Sequence, residues 1–102
     1  MESYLYVFSG INELVCACKF ISSLPSQSLT SVYYEDTYGK TKYYLLFSQS
    51  VYDIRSELYP MCAISEFAEC EIRPSRAVRA YLKERCYLLA EENASEIFAE
   101  FC

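Results

Sequence analysis

The chain contains no histidine, only two glycines and three prolines, and no long apolar run. Without histidine it lacks the side chain best suited to proton transfer near neutral pH, and the commonest metal ligand. So few glycines and prolines argue against long linkers or disorder. No stretch approaches the ~18 apolar residues that a membrane helix requires. The opening Met1-Glu2-Ser3 has no basic stretch, and the apolar run that follows, Tyr4 to Phe8, is too short for an export signal. A cytoplasmic protein with no membrane partner is therefore expected. Positive charge is also scarce: the net charge is −5, which disfavours nucleic acid, because phosphate binding needs a concentrated positive field.

What is present is tyrosine, 11 of them in 102 residues. Tyr33 and Tyr34 precede a turn at Gly39, and Tyr43 and Tyr44 follow it. Paired tyrosines supply large, stiff, amphipathic area of the kind binding surfaces use. The charges are sorted as well. Arg73, Arg76, Arg79, Lys83 and Arg85 form a basic cluster, whereas the tail beyond it carries Glu91, Glu92, Glu96 and Glu100 and no basic residue. Such sorting suits either two solvated helices or a docking surface with orientation set by charge. The 6 cysteines read as small buried hydrophobes in a reducing compartment. No metal site is expected: there is no C-x-x-C, and Cys16 and Cys18 would stand about 200° apart around a helix. Nor is a cofactor expected. Cys86, beside Arg85, is the only thiol with even a sequence neighbour suited to activation.

Hydrophobic spacing orders the elements. Tyr4 to Phe8 is a short β run ended by Ser9-Gly10. Ile11, Leu14, Val15, Cys18 and Ile21 recur at helical spacing, with a second stripe through Ala17 and Phe20. Leu29 to Ser48 reads as a hairpin. With Tyr38-Gly39 central, Tyr34 pairs with Tyr43, Val32 with Leu45 and Thr30 with Phe47, and these face the core. The other face then carries Tyr33 beside Tyr44, Leu46 and a Glu35–Lys42 ion pair. Tyr38 suits positive φ poorly, which leaves the turn type open. Ser50 with Asp53 opens a second helix through Ile64, and Pro60 within it predicts a kink or a break near Ser56 to Tyr59. Ala68, Cys70 and Ile72 alternate as a half-buried strand that Pro74 ends. Ser75 caps a helix over Arg76 to Arg85 with Val78 and Leu82 inward. Tyr87 to Ala90 is a short strand, and Asn93 with Glu96 opens a last helix whose inner residues are Ile97, Phe98 and Phe101.

The predicted architecture is one α+β domain over residues 1–102. Its β-α-β-β-α-β core is a mostly antiparallel sheet with helices packed on it, followed by an α-β-α extension. The sheet face away from the first two helices needs a cover, from the C-terminal helices or from a partner.

These residues resemble the C-terminal domain of MecA-type adaptors, which couple substrates to a ClpC-type AAA+ unfoldase. The likeness spans nearly the whole chain. It rests on Tyr4 to Phe8 leading into a helix, the Leu29 to Leu46 hairpin with Tyr33-Tyr34, Gly39-Lys40 and Tyr43-Tyr44-Leu45, then Ser65-Glu66-Phe67, Tyr81-Leu82-Lys83-Glu84 and Glu92-Asn93-Ala94. Two departures replace glycine at helix ends, by Ala68 and by Cys86 within Arg85-Cys86-Tyr87. With the family backbone retained, each would carry about 1 kcal/mol of strain. Family members also carry an N-terminal domain for substrate capture, so the resemblance implies the docking half alone, either excised or as a stand-alone paralogue.

The resemblance implies a non-enzymatic adaptor in competence regulation and Clp-dependent proteolysis, with an unfoldase as partner. Its contacts are expected at Tyr33, Tyr44 and Lys42 on the outward hairpin face, and at Glu92, Glu96 and Glu100 on the acidic helix. The alternative is a self-associating module, a homodimer through its aromatic sheet face. A sheet-face RNA binder has the right aromatics but the wrong sign of charge.

Overall fold

The hairpin is the centre of the sheet. In a computed structural model, which describes residues 2–23, 29–49, 70–72 and 74–101, strand β3 (Lys40–Gln49) is the middle strand and β2 (Thr30–Thr37) lies beside it. Strand β1 (Glu2–Phe8) pairs with the far side of β3, β4 (Cys70–Ile72) with β1, and β5 (Tyr87–Glu92) with β2. The result is a five-stranded sheet in the order β4-β1-β3-β2-β5, with every neighbouring pair antiparallel. Helices α1 (Ile11–Ser22), α2 (Arg76–Arg85) and α3 (Ala94–Phe101) complete an α+β fold among the described residues. The expected helix from Ser50 to Ile64 with its kink or break near Ser56 to Tyr59, and Ala68, lie outside them.

The hairpin register follows from the alternation of its residues. Val32 stands opposite Leu45, Tyr33 opposite Tyr44, Tyr34 opposite Tyr43 and Glu35 opposite Lys42. A two-residue loop, Tyr38-Gly39, closes the hairpin between Thr37 and Lys40. Both loop residues have positive φ, 54° and 76°, as a type I′ turn requires to match the twist of the strands.

One face of the sheet holds the larger core. Tyr4, Tyr6, Phe8, Val32, Leu45 and Phe47 meet Leu14, Ala17, Cys18 and Ile21 of α1 and Ala94 and Ile97 of α3. Both stripes foreseen on α1 contribute, since Phe20 also packs against this cluster. The rings of Tyr4 and Tyr6 lie 5.5 and 5.8 Å from that of Phe47 in stacked geometry, so cross-strand aromatic pairs tie β1 to β3. Phe98 and Phe101 close the rim.

The opposite face is not open. Leu82, with Val78 and Cys86, lies on Leu5, Tyr33, Tyr44 and Leu46 and forms a second core. This corrects the expectation that Tyr33 and Tyr44 face outward. Helix α2 supplies the cover, because Val78 and Leu82 are its only strongly apolar inward pair and this sheet face carries the matching apolar residues. The Ser75 side chain caps α2 by accepting the Val78 N–H at 3.2 Å. At the other end Cys86 has φ −107° and ψ 155°, ordinary extended backbone, so the chain leaves α2 without left-handed strain.

Candidate functional site

The charges divide between the two faces of the sheet. On the α2 side, Arg76, Arg79, Lys83 and Arg85 are exposed around the single inward stripe of that helix. On the α1–α3 side, Glu96 and Glu100 lie one helical turn apart on the exposed surface of α3, and Glu92 ends β5 just before it. Asn93 Nδ2 donates to Glu96 Oε1 at 3.2 Å, and its carbonyl accepts the Glu96 and Ile97 N–H groups. This anchors the first turn of α3 and brings Glu96 toward Glu92. A hydrogen bond with Glu100 is the largest cause holding the Glu92 carboxyl up at about 7, followed by loss of water and the contact with Glu96. Three predicted contact residues, Glu92, Glu96 and Glu100, are therefore brought together by the fold.

The other three are arranged differently. Tyr33 is buried under α2, where desolvation is the first cause raising its pKa, followed by the charge of Glu91. Tyr44 is half-buried, and its hydroxyl donates to Glu35 Oε1 at 3.0 Å. Tyr81 of α2 donates to the other oxygen of the same carboxylate. The Glu35 carboxylate is thus held by two phenols, a correction to the cross-strand partnership with Lys42 read from the register. Lys42 remains exposed and lines a cleft with Glu35, Thr37, Lys40, Tyr81 and Arg85.

Sequence reasoning missed the β5 edge of the sheet. Among the described residues β5 borders β2 on one side only, and it exposes Tyr87, Leu88 and Leu89. A bulge lies between its pairings with Val32 and Tyr33: Ala90 faces Val32 while Leu88 faces Tyr33, leaving Leu89 unmatched. Leu89 joins Ile11, Tyr34, Tyr43 and Phe101 around a shallow cleft of about 240 Å³, and the ring of Tyr87 stacks on Tyr34 at 5.3 Å. The signal in the sequence is the run Tyr87-Leu88-Leu89-Ala90, four apolar residues on a strand too short and too peripheral to bury them all.

Of the described cysteines, Cys18 is buried, whereas Cys16 and Cys86 are partly exposed. Burial pushes the Cys18 thiol up to about 12. Burial first and the Glu35 carboxylate second push Cys86 up to about 11, the direction opposite to that of an activated nucleophile. Among the described residues no group of three acidic, cysteine or histidine side chains is placed to hold a metal ion. No helix among them is long and apolar enough to cross a membrane.

The fold is thus an α+β sheet with helices on both faces, a basic helix on one and an acidic helix on the other. The model of the MecA family, the negative regulator of genetic competence, matches residues 1–98, and the chain belongs to that family. No curated protein and no solved structure matches the chain.

Proposed function

We propose that residues 1–102 act as one non-enzymatic adaptor domain that docks on a ClpC-type AAA+ unfoldase in regulated proteolysis, in the cytoplasm. Membership of a regulatory adaptor family supports the adaptor role and a Clp unfoldase as the general kind of partner. The observation that carries the docking surface is the convergence of Glu92, Glu96 and Glu100 at α3, the helix whose Phe101 shares a cleft with the exposed Leu89 and with Tyr34, on which Tyr87 stacks. An apolar patch rimmed by like charges combines contact area with steering toward a basic partner. Lys42 belongs to the opposite face, and Tyr33 and Tyr44 support that face from beneath α2.

The test is the ATPase rate of the cognate unfoldase with this chain and with a Glu96→Lys, Glu100→Lys variant. Stimulation by the first and a loss of at least about tenfold in apparent affinity for the second is expected. Equal activity of the two would remove the acidic helix from the docking surface.

A second reading is self-association, favoured by the exposed Leu88 on the β5 edge, which has no further strand beside it among the described residues. The interface would then be this edge, because the face bearing Tyr33 and Tyr44 is covered by α2. Sedimentation of the chain against a Leu88→Lys variant separates a β5-edge dimer from a monomer.

A further inference from the structure

Where the hairpin tip meets the end of α2, an open cleft of about 470 Å³ is lined by Glu35, Thr37, Lys40, Lys42, Tyr81 and Arg85. It lies on the α2 side of the sheet, away from the acidic cluster of α3. Among the described residues three cations stand around it against one carboxylate, and that carboxylate already receives the hydroxyls of Tyr44 and Tyr81. The two phenols satisfy the Glu35 oxygens without removing their charge, and the excess of cations over this carboxylate leaves the described lining net positive. Lys40, Lys42 and Arg85 are all exposed, so a ligand reaches them without opening the fold.

We infer that this cleft binds an acidic peptide segment, with carboxylate side chains of the bound strand set between Lys40, Lys42 and Arg85. Arg85 offers a planar fork for one carboxylate, and the lysines act as mobile point charges for its neighbours. The hydroxyl of Thr37 adds a neutral donor at the rim. Beyond the cleft, the same side of the sheet carries Glu84 on α2 and Glu91, which accepts from Ser31 Oγ at 3.1 Å, together with the exposed Arg76, Arg79 and Lys83. Binding here goes beyond the unfoldase docking proposed above and does not depend on it. It would give the module a second, oppositely charged contact on the far face of the sheet, which is what a bridging protein needs.

The test uses fluorescence anisotropy of the full chain with a labelled peptide alternating aspartate and serine, beside its asparagine–serine analogue. Saturable binding of the acidic peptide at low salt, falling with added salt, is expected, with none for the analogue. Lys40→Glu with Lys42→Glu and Arg85→Glu should weaken it at least about tenfold. The milder Lys40→Gln, Lys42→Gln pair should weaken it in the same direction, which guards against a folding defect in the triple variant. Reversal of Arg76 and Arg79, exposed on the same helix but outside the cleft, should leave affinity within about twofold. Equal losses from both sets of reversals, or absence of binding at low salt, would overturn the assignment. Tighter binding of a single-stranded oligonucleotide than of the peptide would overturn the acidic-peptide identity of the ligand.

Discussion

Tyr81 and Glu35 lie 46 residues apart, yet the phenol of the first donates to the carboxylate of the second and fastens α2 to β2. Tyr44, from the neighbouring strand, donates to the other oxygen at 3.0 Å. The carboxylate is therefore the joint at which helix and hairpin meet, and its two bonds are not equivalent. Tyr44 is half-buried, whereas Tyr81 is exposed.

Tyr44→Phe should cost about 1–2 kcal/mol and Tyr81→Phe about 0.5 kcal/mol in urea unfolding, because water replaces the lost partner more readily at the surface. The double variant should depart from additivity, since both bonds end on one carboxylate. The pH dependence has a definite sign. Desolvation first and Glu35 second raise the Tyr44 pKa, and the bond to Glu35 is the first cause for Tyr81. A raised folded pKa means stability that is complete below the unfolded phenol's value of 10.0 and lost as pH rises beyond it. Thermal melts above pH 10 should show a steeper decline for the native chain than for Tyr44→Phe. Parallel curves would refute the coupling.

The turn residue Tyr38 offers a stabilising change. Its φ of 54° is left-handed, and its side chain is 99% exposed, so it carries backbone strain with no packing in return. Asparagine tolerates this region far better and is a preferred first residue of a type I′ turn. Tyr38→Asn should gain about 0.5–1 kcal/mol, read as a higher urea midpoint with unchanged slope. A lower midpoint would mean that the ring does contribute.

Much of this was legible beforehand, and the exceptions share a cause. The hairpin register could be read because strict alternation and a single central glycine leave one pairing that keeps Val32 and Leu45 on one face. Helix α2 could be bounded because Pro74 and Ser75 mark its start. What covers the Tyr33–Tyr44 face could not be read, since an apolar strand face looks the same in sequence whether a helix or a partner lies on it. Glu35 opposite Lys42 was correct as register and incomplete as chemistry, because the competing donor comes from Tyr81 on a distant segment. The β5 bulge was invisible for another reason: Leu88-Leu89 contains no glycine to mark it, and the extra residue is defined only by its pairing with β2.

Leu82 should be the anchor of α2. It is 1% exposed and is the one fully buried residue of that helix, seated on Leu5 and Tyr33. Leu82→Ala should cost about 2–4 kcal/mol through lost transfer energy and the cavity left behind. Because α2 joins the smaller of the two cores, amide exchange should quicken first in residues 76–85 and only later in β1 and β3. Uniform quickening across the sheet would show instead that the two cores unfold as one unit.

The acidic cluster should register pH near neutrality. Glu92 is held up at about 7 against an ordinary 4.5, first by its hydrogen bond with Glu100. With the folded pKa raised, the contribution of protonated Glu92 to stability is fully present below about pH 4.5 and disappears as pH rises through about 7. Glu92→Gln keeps a neutral side chain at every pH. It should therefore match the native chain in acid and exceed it in melting temperature above pH 7, with the difference shrinking in high salt. Glu100→Gln should instead move the Glu92 titration back toward 4.5, measured on its side-chain carboxyl carbon by NMR. A native Glu92 that titrates at its ordinary value would show that the three carboxylates stand apart in solution, and the docking surface would then carry its full negative charge at neutral pH.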